Sequence, residues 1–215
     1  GPILLNYLTE AFDFDSYWHL KDVDHYIVTS EQARQKLLRG KIPAEKLQVF
    51  PYPVRHSFFR IGKSRQEILD SLELDGRQRT MLVTLGSEGV GPLHRMIAAL
   101  VRREFPLNIV VVAGKNEILR EQIRQDFGQT PGPTRVVALS YTEKLNELLW
   151  ASDFCFIKPG PATTWEAMSL KKPIIFYQSA QLSENPNIRY VVKNGFGFYA
   201  GEAPRRLVRL VADFI

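Results

Sequence analysis

The sequence has little cysteine and no long apolar run. Cys155 is the single cysteine among 215 residues, and it stands inside an apolar segment. One cysteine excludes a disulfide framework and suits a reducing compartment. No stretch approaches the roughly 20 consecutive apolar residues that cross a bilayer, and the apolar run at 3–5 is too short for a secretory signal. We therefore expect a cytoplasmic chain that is soluble or peripheral on a membrane.

The chain also lacks the signatures of nucleic-acid and metal binding. No basic run is interleaved with aromatic residues, so we expect no nucleic-acid partner. His25, His56 and His94 lie on unrelated segments, and no histidine pair has metal-ligand spacing. The Asp-x-Asp sequences at 13–15 and 22–24 do not follow a strand in the right context, which favours solvated acids over a metal site. We expect no bound metal and no cofactor.

What the chain does have is an uneven charge. Residues 1–30 carry five acidic residues and one basic residue, whereas the other 185 residues hold 27 basic and 18 acidic ones, a net charge of +9. A basic body of this kind predicts an anionic ligand or surface. A phosphorylated small molecule and an anionic lipid surface both fit.

The last segment, 203–215, is also basic, and its sequence has a helical pattern. It carries Arg205, Arg206 and Arg209 beside apolar residues at helical spacing. The favoured interpretation is a helix that packs its apolar stripe on the sheet or on a preceding domain. The alternative is a helix that lies on an anionic membrane leaflet.

The order of apolar segments from residue 80 onward predicts an α/β fold. Short apolar runs alternate strictly with stretches of helical spacing; we expect strands at 80–85, 108–113, 135–138, 154–157, 174–177 and 197–199. Such alternation indicates a Rossmann-like parallel sheet with helices on both faces. Ligands of such sheets bind outside the carboxyl ends of the strands.

The first 50 residues contain too few elements for a domain of their own. They predict strands at 3–7 (buried), 24–29 and 47–50, with one helix that Ser30 caps and that ends near Arg39. We expect residues 1–52 to be the C-terminal remnant of an N-terminal domain whose beginning is absent. Residues 53–79 then form a linker with a connecting helix at about 65–72, and 80–215 form a second, ligand-binding domain.

The most informative stretch is 158–168, which follows the apolar run 154–157. Pro159 and Gly160 predict a turn, and a helix is expected from Thr163 onward. The start of a helix offers free N–H groups to an anion, above all a phosphate. Thr163 and Thr164 either cap this helix or bind a phosphate oxygen, and Glu166 is expected in its first turn, facing the crevice. An ordinary αβ connection is the alternative.

Four further loops of unusual composition follow predicted strands. They lie at 86–91, which is rich in glycine, and at 114–116, 140–143 and 179–187. Any one of them is explained by turn chemistry alone. Because the carboxyl ends of parallel strands share one edge of a sheet, their convergence favours a binding crevice.

These motifs together resemble a known family. The turn with Glu166, the sequence Ser-Glu-x-x-Asn at 183–187 and the segment 190–195 are similar to the donor half of GT-B glycosyltransferases. The resemblance is closest to processive diacylglycerol glucosyltransferases and monogalactosyldiacylglycerol synthases, and more distant to the peptidoglycan glucosaminyltransferase. It spans about residues 9–199 and includes the segment 53–55.

The resemblance implies inverting transfer of a hexose from a UDP-sugar, as co-substrate, to a lipid acceptor such as diacylglycerol. It implies that Glu166 accepts hydrogen bonds from the ribose and that residues 141–145 meet the uracil through main-chain groups. The donor-binding residues implied are Gly86, Ser87, Gly89, Asn116, Tyr141, Leu145, Pro159, Gly160, Thr163, Thr164, Glu166, Ser183, Glu184 and Asn187.

The sequence also departs from the family. Ser183 stands where the family commonly has Gln, which leaves the sugar open. The histidine position before Trp18 is lost or shifted, so His19 is the remaining acid/base candidate and the catalytic residue is unassigned. A nucleotide-sugar 2-epimerase and a non-catalytic module that binds a nucleotide or a partner are the alternatives to a transferase.

Overall fold

The computed structural model describes residues 1–14, 18–20, 22–84, 93–178 and 185–215. Its strands form two parallel sheets. The first sheet has the order β1-β2-β3, and the second has the order β6-β5-β4-β7-β8-β9. The strands are β1 Leu5–Leu8, β2 His25–Val28, β3 Leu47–Val49, β4 Arg79–Thr84, β5 Leu107–Val112, β6 Arg135–Leu139, β7 Phe154–Ile157, β8 Ile174–Phe176 and β9 Gly197–Tyr199.

Helices alternate with these strands along the chain. They are α1 Glu31–Arg39, α2 Arg65–Asp70, α3 Leu93–Val101, α4 Glu117–Phe127, α5 Leu145–Ala151, α6 Pro161–Ser169, α7 Asn185–Lys193 and α8 Pro204–Ala212. Short 3₁₀ turns occupy Ala44–Lys46 and His56–Phe59. The predicted α/β fold with a Rossmann-like parallel sheet is therefore confirmed.

The second sheet is covered by helices on both faces because its strand residues point alternately to two cores. One core joins Met81, Val83 and other residues of the strands to α3, α4 and α8. The opposite core joins Leu82, Cys155 and their neighbours to α2, α5 and α7. Burial raises the pKa of the Cys155 thiol to about 12, so this cysteine is an inert packing residue.

Residues 53–79 contribute to the second of these cores. Phe58, Ile68 and Leu69 are all buried there, and α2 packs on α5. Ser64 begins α2 with a capping box, in which its hydroxyl accepts from the Glu67 N–H and the Glu67 carboxylate accepts from the Ser64 N–H. This segment is thus attached to the larger sheet, whereas the division of the chain into domains stays a prediction.

The first sheet differs from its prediction in one respect. We expected a buried strand at 3–7, but β1 is an edge strand whose Leu5 is 51% exposed, with Ile3 beside it at 75%. An apolar run of this length cannot distinguish an edge strand from a central one. The prediction for α1 is confirmed: the Ser30 hydroxyl accepts from the Ala33 N–H, and the helix ends at Arg39.

Strand β9 closes the far edge of the second sheet and depends on one glycine. A Cβ on Gly197 would overlap the backbone carbonyl of Ile174 in β8. Only a residue without a side chain therefore lets these two short strands pair at this register. In the described part of the chain, no helix has the length and apolar character that crossing a bilayer requires.

The C-terminal segment forms α8, and its apolar stripe packs on the sheet and on α3. Leu207 and Val211 are fully buried in the same core as Met96 and Leu100 of α3. The favoured interpretation of this segment, a packed helix, is therefore confirmed. The three arginines of the segment stay exposed on the other side of α8.

We predict that Leu207→Ala lowers the free energy of unfolding by about 2–5 kcal/mol, because it leaves a cavity in a closed core. The matched control is Leu210→Ala on the same helix, where the side chain is only half-buried, and we expect less than half that loss. Urea unfolding of the two variants measures the difference. Equal losses would show that α8 does not anchor in this core.

Candidate functional site

The strand order places the candidate site at one point of the sheet. From β4 the chain builds outward through β5 and β6, and then returns to place β7 on the other side of β4. Thr84 at the end of β4 pairs in register with Ile157 at the end of β7. Helix α3, which follows β4, packs on one face of the sheet, and α6, which follows β7, packs on the other. The point between these two strand ends is therefore the switch point, where such sheets have a crevice for ligands. The glycine-rich loop with Gly86, Ser87 and Gly89 follows β4 and lies outside the described residues.

The turn between β7 and α6 forms one wall of this crevice, and it lies among the described residues. Pro159 and Gly160 are buried, Gly160 is the N-cap in an extended conformation, and Pro161 is the first helical residue. Proline suits this position because it has no N–H to leave unpaired. The helix begins two residues earlier than predicted, since Pro161 starts it and the threonines do not.

No side chain caps α6. The Thr164 hydroxyl, fully buried, donates to the Gly160 carbonyl at 2.7 Å, and the Thr164 N–H also bonds that carbonyl. Neither Thr163 nor Thr164 acts as the cap that we considered, and the Thr164 hydroxyl proton is already used. The N–H groups of Ala162 and Thr163 are left at the helix start, where the helix dipole favours an anion.

Glu166 lies in the second turn of α6, not in the first as predicted, because the helix starts earlier. Its carboxylate is only 5% exposed, and Oε1 accepts from Nε of Arg55 at 2.9 Å. Burial raises the pKa of Glu166, while the Arg55 guanidinium opposes that rise. A buried carboxylate held beside one cation is a strong acceptor of further hydrogen bonds.

Asn187 joins α7 to the same turn. It is buried, and its Nδ2 donates to the Pro159 carbonyl at 2.8 Å. The amide therefore fixes the turn that leads into α6. Ser183 and Glu184, which precede α7, lie outside the described residues.

The other predicted donor residues lie at the ends of β5 and β6. Asn116 is the N-cap of α4, where its Oδ1 accepts from the Leu119 N–H at 2.9 Å. Tyr141 is 59% exposed after β6, and Leu145 begins α5 and packs on the core beneath. Asn116 and Leu145 thus have structural roles, as a helix cap and as a packing residue, and the Tyr141 side chain is exposed. Their role in donor binding stays a prediction.

His19 has surroundings that do not suit an acid/base. Its imidazole lies directly over Gly40 at the end of α1 and edge-on to the ring of Phe14. Burial lowers its pKa, and nearby Lys36 lowers it further, so the neutral form is favoured. These contacts place the imidazole against the core and the helix of the first sheet.

Asp13, in the first of the Asp-x-Asp sequences, is ion-paired and is more than a solvated acid. Its carboxylate bonds Lys36, lies 3.8 Å from Arg189 of α7, and has a lowered pKa, with the Lys36 hydrogen bond as the main cause. Within the ranges that the structure describes, no group of three His, Cys, Asp or Glu residues is arranged to hold a metal.

A row of stacked aromatic rings joins the two sheets beside the crevice. Phe12 lies between Tyr190 of α7 and Trp165 of α6, with ring centroids 3.8 and 5.8 Å apart, and Tyr52 stacks on Trp165 at 5.4 Å. This row fixes the segment that carries Arg55 above α6. The family resemblance includes 53–55, but the sequence predicts no role for Arg55, because 111 residues separate it from Glu166.

The fold defines a class of protein, namely the GT-B fold. Two solved structures with the same fold are the UDP-GlcNAc 2-epimerase from Neisseria meningitidis bound to UDP-GlcNAc and Anabaena HepE in complex with UDP and glucose. The first has a TM-score of 0.66 and 14% identity, covering 89% of this chain and 52% of that one. The second has a TM-score of 0.61 and 15% identity, covering 98% and 61%.

Sequence comparison identifies the family within that class. Residues 80–212 match the model of the glycosyltransferase family 28 C-terminal domain, and the chain therefore belongs to glycosyltransferase family 28. A probable monogalactosyldiacylglycerol synthase 2 from Oryza sativa subsp. indica is 31% identical over 194 residues, covering 87% of this chain and 40% of its own length. A processive diacylglycerol beta-glucosyltransferase from Bacillus cytotoxicus is 27% identical, covering 88% and 48%.

The chain thus spans somewhat less than half the length of these two curated relatives. The predicted resemblance to the GT-B glycosyltransferases is confirmed, and so is the membership of a glycosyltransferase family. The individual site residues stay predictions. The structure does bring together Gly160, Thr163, Thr164, Glu166 and Asn187 around one turn.

We predict that Arg55→Met destabilises the protein by about 1–2 kcal/mol at neutral pH, because Glu166 then keeps its buried charge without a cation. The variant raises the pKa of Glu166 further above its ordinary value. The penalty therefore exists only where the carboxylate is ionised, and it disappears as the pH falls and Glu166 becomes protonated.

The control for this prediction is Arg77→Met. Arg77 pairs with Asp75 on the surface, and its side chain is 91% exposed, so its loss should cost much less than the loss of Arg55. Urea unfolding of the wild type and of both variants, at neutral pH and below pH 4.5, the ordinary pKa of a Glu carboxyl, measures the loss of stability in each variant at each pH. A penalty for Arg55→Met that is constant with pH would contradict the proposed dependence of Glu166 on this pair.

Proposed function

We propose that this chain carries the donor-binding part of an inverting glycosyltransferase that moves a hexose from a UDP-sugar to a lipid acceptor such as diacylglycerol. One observation carries the proposal. A helix start without a side-chain cap and a buried carboxylate, Glu166, lie on the same helix at the switch point of the sheet. The names of the two curated relatives, which act on diacylglycerol, support the acceptor.

In this proposal the helix start binds the diphosphate of the donor. The N–H groups of Ala162 and Thr163 point out of α6, and the helix dipole adds positive potential there. The diphosphate gains negative charge as the bond to the sugar breaks. Donors that are already in place stabilise this charge without rearrangement, so they favour the transition state over the bound substrate.

Glu166 is proposed to bind the ribose of the same nucleotide. Arg55 occupies Oε1 of the carboxylate, and the described residues give Oε2 no hydrogen-bond partner. Oε2 is therefore available to ribose hydroxyls. The Arg55 side chain is 56% exposed, so it can pair with Glu166 and still turn toward a phosphate when the donor binds.

We predict that Glu166→Ala weakens UDP binding by about tenfold or more, since losing a charged acceptor typically costs about 1.5–3 kcal/mol. Glu166→Gln keeps the volume and should also weaken binding, because the amide is a poorer acceptor. The matched control is Glu45→Gln, an exposed residue on a 3₁₀ turn of the first sheet. Calorimetric titration with UDP measures all three, and an unchanged dissociation constant for Glu166→Ala would refute the assignment.

A nucleotide-sugar 2-epimerase is the second candidate, because an epimerase shares the fold. Binding of UDP does not separate it from a transferase, but the product does. We predict that the protein, expressed with any further residues its gene encodes, converts UDP-hexose and diacylglycerol to glycosyldiacylglycerol and does not epimerise UDP-GlcNAc. Chromatography of lipid and nucleotide products decides between the two. If UDP fails to raise the melting temperature, a non-catalytic module without a nucleotide site is favoured instead.

A further inference from the structure

Strand β9 has an open edge, and an apolar groove lies beside it. Among the described residues, β9 pairs with β8 on one side and with no strand on the other. The groove has a volume of about 450 Å³, and residues that precede β8 and β9 contribute to it, at the end of the sheet opposite the crevice. Its lining includes Met168, Lys171, Pro173, Phe196, Phe198 and Phe214. We call the open edge and this groove together the β9 surface.

The register of the ladder shows which backbone groups of β9 are free. The N–H of Ile174 in β8 donates to the Phe196 carbonyl, and Ile174 lies opposite Gly197. In a parallel pair every second residue bonds the neighbouring strand, so the N–H and C=O of Phe198 point to β8. Those of Gly197 and Tyr199 point outward, where the described residues give them no hydrogen-bond partner. Unpaired groups of this kind are a template for a further strand.

Large apolar side chains are exposed beside this edge. Phe196 is 45% exposed and Phe198 is 43% exposed, although both line the groove. Phe198 packs edge-on against Phe214, with ring centroids 6.0 Å apart, and this contact leaves much of its ring open to solvent. Val192, on the helix that leads into β9, is exposed as well. An apolar patch next to an open strand edge is typical of a surface that another chain covers.

The charges beside the edge are positive at both ends of the strand. Lys171 is exposed and lines the groove together with the first residues of β9. The guanidinium carbon of Arg206 lies 5.7 Å from the ring centre of Tyr199, the last residue of β9. The described residues give neither cation an ion pair, and no acidic residue is among those that line the groove. The surface therefore complements a segment that carries carboxylates.

The same charges disfavour a second copy of this chain as the partner. Two copies paired through β9 would bring Lys171 and Arg206 of one molecule close to the same cations of the other, and each copy carries a net charge of +5. An extended acidic segment meets the same backbone groups without that repulsion. Because an extended chain places alternate side chains on opposite faces, it can set apolar residues over Phe198 and still present carboxylates to the cations.

We propose that the β9 surface binds an extended, acidic segment of another protein, which adds a strand to the sheet. The outward N–H and C=O groups of Gly197 and Tyr199 supply the affinity common to any strand added to an edge, and the exposed phenylalanines and the two cations select the sequence. The inference goes beyond the proposed function and rests on other residues. Because the groove lies at the end of the sheet opposite the crevice, the partner does not compete with a nucleotide.

The first test uses three fluorescent heptapeptides. One alternates glutamate and valine, the second is the same peptide with all its backbone amides N-methylated, and the third alternates lysine and valine. Fluorescence anisotropy with the whole chain should show saturable binding of the first peptide, which weakens as salt rises. The other two should bind about tenfold or more weakly, since one lacks the donors and the other has the wrong charge. Equal binding of either control peptide overturns the proposal.

Matched variants of the protein test the same contacts. Phe196→Ser removes an exposed ring of the surface, and its control is Phe59→Ser, an exposed ring elsewhere. Lys171→Gln combined with Arg206→Gln removes the two cations, and its control is Arg39→Gln combined with Arg60→Gln. Each surface variant should bind the glutamate peptide about fivefold or more weakly, and each control should change binding less than about twofold. Equal losses in variant and control would refute the inference; if Phe196→Ser does not fold, the charge variants decide alone.

Hydrogen exchange shows whether the peptide pairs with the edge. In the free protein the outward amides of Gly197 and Tyr199 should exchange fast, and the peptide should slow them about tenfold or more. Bound peptide without this protection overturns the proposal, and so does a dimer, seen by sedimentation, that Phe196→Ser abolishes. UDP binding should be the same with and without peptide. A chain that binds the peptide but not UDP refutes the proposed function alone, and one that binds only UDP refutes this inference alone.

Discussion

The central constraint on this molecule is the burial of strand β7. All four of its residues, Phe154–Ile157, are fully buried, with β4 on one side and β8 on the other. A strand in this place must satisfy its backbone through both neighbours and must leave the sheet at its carboxyl end. The chain then has only the turn at Pro159 and Gly160 in which to reverse and start α6. The position of the helix start at the switch point follows from that geometry.

The turn is held from several sides, which explains why so few side chains remain for a ligand. Asn187 bonds the Pro159 carbonyl, and Thr164 bonds the Gly160 carbonyl. Polar side chains that a motif search would assign to a ligand thus donate a hydrogen bond to the backbone of the turn. Main-chain N–H groups and one carboxylate are what the described part of the crevice offers. Preorganised main-chain donors of this kind lose little entropy when a ligand binds.

Most of the fold could be predicted from the sequence, because it depends on local patterns. The bounds of β7 and β9 are those predicted from the apolar runs at 154–157 and 197–199. The errors have local causes as well. Pro161 starts α6 because proline fits the first helical position, and β1 is exposed although its composition is that of a buried strand.

The site could be predicted only where its residues are close in the chain. The turn, the helix and Glu166 lie within 158–168, so the motif showed them together. Arg55 was missed because its partner is 111 residues away and a lone arginine after Pro53 carries no signal of its own. The stack of Phe12, Trp165 and Tyr190 was missed for the same reason. Contacts of this kind depend on packing between the sheets, which no periodicity encodes.

The arginines of the chain differ in what their surroundings require. Glu166 is buried, and an ionised carboxylate that has lost its water needs a cation such as Arg55 to remain charged near neutral pH. The arginines on α8 keep their water, so the lack of a carboxylate partner costs them little. An unpaired arginine on a surface is therefore uninformative by itself.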